Sequence, residues 1–112
     1  MSLILAGYVF SGPQSLADFK GTDVDGIYGI FYLKYPDKKV ANYGVLYIGD
    51  TKEITEVPGF PMTHKKYQEW SDRGKGGENL YIGFCPTPGL MPNKKELIKR
   101  HLIYKYNPMC NK

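Results

Sequence analysis

Apolar positions along this chain cluster in short β-branched and aromatic runs separated by Gly, Pro, Asp and Asn, a pattern that predicts strands joined by turns. The strongest run is Gly26 to Tyr35. Its odd positions supply Ile27, Phe31, Leu33 and Tyr35, and its even positions supply Tyr28, Ile30 and Tyr32. Both faces are apolar, which predicts an interior strand covered on both sides. A second strand lies within Val40 to Asp50, best in Val45 to Gly49, with a bend or bulge at Asn42-Tyr43-Gly44. Pro36-Asp37-Lys38-Lys39 between them is a turn-forming cluster. An antiparallel fold at the middle of that cluster sets Tyr28 directly opposite Tyr47, both hydroxyls on one face. A third strand, Asn79 to Cys85, alternates Leu80, Ile82 and Phe84 with Tyr81, Gly83 and Cys85.

Helical signals are fewer. Ser15 to Phe19 predicts one turn with Ser15 as N-cap. Asp50-Thr51-Lys52-Glu53 is a possible helix start, stopped by Pro58-Gly59-Phe60-Pro61. His64 to Arg73 predicts a helix with Thr63 as N-cap and Tyr67 and Trp70 on its buried face, ended by Gly74 to Gly77. The last helix begins at Asn93 with an Asn93–Glu96 capping box, buries Leu97, Ile98, Leu102 and Ile103, and ends at Asn107-Pro108. The expected fold is α+β: a small three-stranded antiparallel sheet flanked by helices, spanning 26–112, with residues 1–25 as a preamble packed on it and contributing a short strand or turn.

With 112 residues the chain holds one core. No apolar run is long enough to cross a bilayer, and the short Leu3-Ile4-Leu5-Ala6 patch is no signal-peptide core, so the expected location is cytoplasmic. Cys85 and Cys110 form no framework and read as free thiols. Charge changes the picture more. From Asn93 onward six Lys/Arg face one acid, Glu96, a net of +5, while nine Lys/Arg and ten acids elsewhere give −1. The basic character therefore belongs to the last helix, which is a candidate surface for a polyanion and equally a solvated helix face.

Gly26-Ile27-Tyr28, then Tyr47-Ile48-Gly49-Asp50-Thr51, then a helix running into Leu102-Ile103-x-x-Tyr106-Asn107-Pro108-x-x-Asn111 resembles the GIY-YIG nuclease domain. The resemblance covers most of the chain, and His64-Lys65-Lys66-Tyr67-x-x-Trp70 is similar to a helix in small stand-alone members. It implies a three-stranded sheet flanked by helices and hydrolysis of a phosphodiester with one divalent metal, Mg or Mn. It places the family's paired tyrosines on Tyr28 and Tyr47, which position or deprotonate the attacking water, and its terminal asparagine on Asn111. His64 stands either as a proton carrier near the phosphate or as a surface helix residue.

Two positions depart from the family pattern. The metal-binding glutamate, nine residues before the terminal proline, falls on Lys99, a charge reversal that repels a cation. The phosphate-clamping arginine falls on Val57. Glu96, one turn before Lys99, is the substitute metal ligand if the site is active. Lys65, Lys66, Arg73, Lys99, Arg100 and Lys105 are the candidate nucleic-acid contacts. Three functions follow in order: a nuclease-like domain that binds DNA or RNA but has lost metal-dependent cleavage, an active divergent endonuclease, and a protein-interaction domain that touches no nucleic acid.

Overall fold

The computed structural model describes residues 2–35 and 42–111, so the turn expected at Pro36-Asp37-Lys38-Lys39 lies outside the described residues. Five strands form one antiparallel sheet: β1 (Ser2–Leu5), β2 (Tyr8–Ser15), β3 (Gly26–Leu33), β4 (Tyr43–Asp50) and β5 (Leu80–Pro86), in the order β1-β2-β5-β3-β4. The three-stranded expectation is thereby corrected. The supposed preamble is a hairpin whose second strand bonds to β5, and it adds Leu5 and Phe10 to the core. Sequence pattern conceals the hairpin because Gly12 and Pro13 interrupt the alternation of β2, and its register on β5 shifts between Ser11 and Gln14.

Strand β3 is interior, as its two apolar faces require, and every residue from Gly26 to Phe31 is buried. Its even positions (Tyr28 and Ile30) join Ile82, Phe84, Leu80 and Trp70 in a front layer, and its odd positions (Ile27 and Phe31) join Ile48, Cys85 and Leu102 in a back layer. The register with β4 differs from the expected one. Tyr28 pairs with Gly49 and Ile30 with Tyr47, a displacement of two residues. An even displacement keeps both tyrosines on one face, now as diagonal neighbours with ring centroids 6.0 Å apart. The shift is locked where Gly26 donates its N–H to Thr51 Oγ1 at 3.0 Å and Thr51 returns its own to Gly26 O at 3.1 Å. It sets Gly49, with no side chain, opposite Tyr28. A bulge at Leu46, between the pairs Ile30–Tyr47 and Phe31–Val45, turns Leu46 and Tyr47 both into the front core.

The front layer is covered by the single-turn helix α1 (Lys52–Glu56), by α2 (Tyr67–Arg73) and by a 3-10 turn at Leu16–Asp18. Helix α2 starts three residues later than expected. Thr63 caps nothing; its hydroxyl donates to Pro58 O, and residues 57–66 run as successive turns through Phe60 N to Val57 O and His64 N to Pro61 O. Ser15 likewise makes no side-chain cap.

The back layer is α3 (Pro92–Tyr106), closed by Asn107 in the left-handed conformation. Pro92 opens it, and the expected Asn93–Glu96 capping box does not form. Glu96 instead pairs with Lys99 at 3.2 Å and Arg100 at 3.5 Å. Leu97 is exposed; the buried stripe runs Lys95 and Leu102, with Ile98, Ile103 and Tyr106 beside it. Lys95 is tolerated inside because Asp25 and Asp50 reach its ammonium at 2.9 and 3.2 Å. Burial opposes that charge, but the two carboxylates prevail and its pKa is raised.

Candidate functional site

Three side chains and one backbone N–H meet at a single carboxylate. Glu53, on the first turn of α1, reaches back to the end of β4 and to the tyrosines on the front face of the sheet. Its Oε1 accepts hydrogen bonds from Tyr47 OH at 2.9 Å, Tyr28 OH at 3.3 Å and His64 Nε2 at 2.8 Å, and its Oε2 accepts the Asp50 N–H at 3.1 Å. Local chemistry explains the placement. Asp50 Oδ1 accepts the Lys52 N–H at 2.9 Å and Glu53 reaches back to Asp50 N, a reciprocal pattern like a capping box that starts one residue before the N-cap Thr51.

Gly49 supplies the space. A Cβ there would lie 2.6 Å from Glu53 Oε2, 2.7 Å from Tyr28 Cε1 and 2.8 Å from Tyr47 Cε2. Gly26, the other glycine of the two triplets, is required for a different reason: its Cβ would meet the Cys85 carbonyl oxygen at 2.2 Å. The two glycines therefore have separate roles, one in close strand packing and one in admitting the carboxylate.

His64 is buried at 5 % exposure and stacked on Trp70 with ring centroids 4.6 Å apart, so it is neither a surface histidine nor part of a helix. Its Nδ1 accepts the Lys66 N–H at 3.0 Å, which assigns the neutral ring's proton to Nε2 and makes Nε2 the donor to Glu53. Tyr28 and Tyr47 have strongly raised pKa values, first from burial and then from the adjacent Glu53 charge. Burial also disfavours the Glu53 anion, but the bonds from His64, Tyr47 and the Asp50 backbone outweigh it and hold its pKa below 4.5. Both hydroxyls are therefore protonated donors to a carboxylate anion. Tyr28 has no exposed surface, while Tyr47, Glu53 and His64 border an open cleft of about 520 Å³ shared with Glu56, Val57, Thr63 and Lys65.

The other expected site residues lie elsewhere. Asn111 meets no tyrosine hydroxyl: its amide donates to Ile48 O at 2.9 Å and its Oδ1 accepts Ile48 N at 2.8 Å, closing the free edge of β4. Glu96 and Lys99 pair on α3, which covers the layer behind the tyrosines. Of the basic candidates, Lys65 lines the cleft, Arg73 lies against Met109, and Lys66 pairs with Glu69 at 3.5 Å. Arg100 and Lys105 are exposed on the outer face of α3, beside Tyr104 at 88 % exposure.

No family model, no curated protein and no solved structure matches the chain. The resemblance to the GIY-YIG domain therefore rests on the two triplets and the C-terminal motif alone.

The divalent cation implied by that resemblance does not fit the tyrosine cluster. Three donors already converge on Glu53 Oε1, and the neighbouring His64 nitrogen presents a proton where a ligand needs a lone pair. Glu53 is the residue that sequence reasoning missed. Its signal is Asp50-x-x-Glu53 directly after Tyr-Ile-Gly, a capping spacing that reads locally as no more than a possible helix start.

Proposed function

We propose that this chain is a GIY-YIG-like, nucleic-acid-associated domain in which metal-dependent phosphodiester hydrolysis has been lost. The observation that carries the proposal is the Glu53 carboxylate among Tyr28, Tyr47 and His64. Hydroxyls that would face an attacking water and a phosphate are committed to an internal anion. That anion repels phosphate unless a cation intervenes, and the cluster is not built to hold one. Valine at the arginine position and a lysine tied to Glu96 at the glutamate position support the same conclusion.

Association with nucleic acid draws on a different surface. The outer face of α3 exposes Lys94, Arg100, His101, Tyr104 and Lys105 around an aromatic ring free to stack, the combination that sequence-tolerant single-strand binding uses.

Fluorescence anisotropy of labelled DNA and RNA oligonucleotides across a salt series tests the binding. We expect salt-sensitive association, weakened in Arg100→Ala/Lys105→Ala, with the logarithmic salt slope falling by about 1 for each phosphate that is no longer neutralised. A supercoiled-plasmid assay in Mg²⁺ or Mn²⁺ tests the loss of cleavage. Metal-dependent nicking that Tyr28→Phe abolishes refutes that half of the proposal. Absence of any salt-sensitive binding at low ionic strength refutes the other half and favours a protein-interaction domain.

A further inference from the structure

We infer that the donors around Glu53 form an oxyanion-binding cradle whose resident ligand is the chain's own carboxylate, and that a small external oxyanion occupies the same place once that carboxylate is removed. The inference depends on the geometry of the cluster and not on the nucleic-acid proposal. It concerns a site open to the cleft on the front of the sheet, whereas α3 lies behind the sheet.

Four donors define the cradle: the hydroxyls of Tyr28 and Tyr47, the Nε2–H of His64 and the backbone N–H of Asp50. None is supplied by α1, the element that brings the carboxylate. Tyr28 and Tyr47 are held by β3 and β4, and Asp50 N ends β4. His64 is fixed by stacking on Trp70 and by the Lys66 N–H at its Nδ1. The donors therefore keep their positions without Glu53. Such a preformed set of O–H and N–H donors is selective for anions with two or more oxygens, because one oxygen meets the three side-chain donors and a second meets Asp50 N.

Access is already present. Tyr47, Glu53 and His64 border the open cleft, and the Glu53 side chain is 27 % exposed, so removing it opens the cradle to solvent without displacing the core. Charges on the approach oppose each other, with Lys65 favouring an anion and Glu56 opposing one, and Asp50 opposes it from the end of β4. Affinity then comes from directed hydrogen bonds more than from the general field. In the intact chain Glu53 is an intramolecular competitor present at high effective concentration, which keeps external phosphate or carboxylate out.

The test is thermal unfolding of the wild type, Glu53→Ala and Glu53→Ala/Tyr47→Phe, titrated with sodium formate, inorganic phosphate and sodium chloride at matched ionic strength. We expect a saturable rise in Tm for Glu53→Ala with formate, and with phosphate if the cradle admits a tetrahedral ion. We expect no saturable rise in the wild type, and at least a tenfold weaker response in the double variant. Should Glu53→Ala fail to fold alone, refolding yield is measured against the same anions. Recovery with formate or phosphate but not chloride supports the cradle. A folded Glu53→Ala that responds to formate and phosphate no more than to chloride, or an unfolded one that neither anion recovers, overturns it.

Discussion

Substituting Glu53 tests how much of the fold hangs on one carboxylate. In Glu53→Gln an oxygen still accepts from Tyr47 and His64, but the new NH₂ faces the Asp50 N–H that formerly met Oε2. One hydrogen bond is lost and the rest lose their charge assistance, so about 1–3 kcal/mol is expected. Glu53→Ala removes the acceptor for all four donors. Water entering the vacated space from the cleft is only a neutral acceptor, and the Tyr28 hydroxyl and His64 Nε2 belong to side chains otherwise almost wholly out of solvent. Two buried donors left with water in place of a carboxylate cost about 1–3 kcal/mol each, which places Glu53→Ala near the upper end of single-substitution effects, about 2–6 kcal/mol. Urea unfolding at neutral pH measures this as a fall in midpoint at constant m-value, and thermal melts should drop by about 4 °C per kcal/mol.

The pH dependence follows from the depressed Glu53 pKa. Its stabilising contribution is fully present above 4.5, the value expected of the carboxyl in the unfolded chain, and is lost as pH falls through the lower folded value. The wild type should therefore lose stability on acidification below that point, and Glu53→Gln should lose less over the same window. A Glu53→Ala variant within about 0.5 kcal/mol of wild type would show that the four hydrogen bonds do not anchor the fold.

Gly49→Ala puts a methyl within 2.6–2.8 Å of Glu53, Tyr28 and Tyr47, and should destabilise by about 1–3 kcal/mol in urea unfolding; an unchanged midpoint refutes the tight fit. Asn111→Ala exposes the Ile48 edge of β4 and should cost about 1–3 kcal/mol, with faster amide hydrogen exchange at Ile48 as its local signature. Lys95→Met leaves Asp25 and Asp50 without their shared cation; because Asp25 is largely exposed, stability should fall by about 1–3 kcal/mol rather than by the larger loss of a fully buried pair, read as the midpoint shift. Nitrogen-15 NMR of the imidazole should show the neutral His64 ring protonated at Nε2, and the opposite tautomer would contradict its two hydrogen bonds.

Local physics made part of this architecture legible in the sequence. The two-faced apolar run of β3 could only be an interior strand, the alternation of Leu80 to Cys85 marked a further strand, and Asn107-Pro108 had to end α3. Side-chain parity along β3 and β4 likewise put Tyr28 and Tyr47 on one face, and it survived a two-residue error in register because the strand period is two. Long-range pairing decided the rest. The hairpin β1–β2 could not be read as part of the sheet because Gly12 and Pro13 break its pattern, and only hydrogen bonds to β5, some seventy residues later, make it a strand. Glu53 looked like an ordinary helix-start residue, since nothing in its own surroundings reveals that two strands and the loop at His64 will aim their donors at it. Lys99 and Glu96 looked like neighbours of the tyrosines because spacing to a motif carries no sign for the side of the sheet, and only packing set α3 behind it.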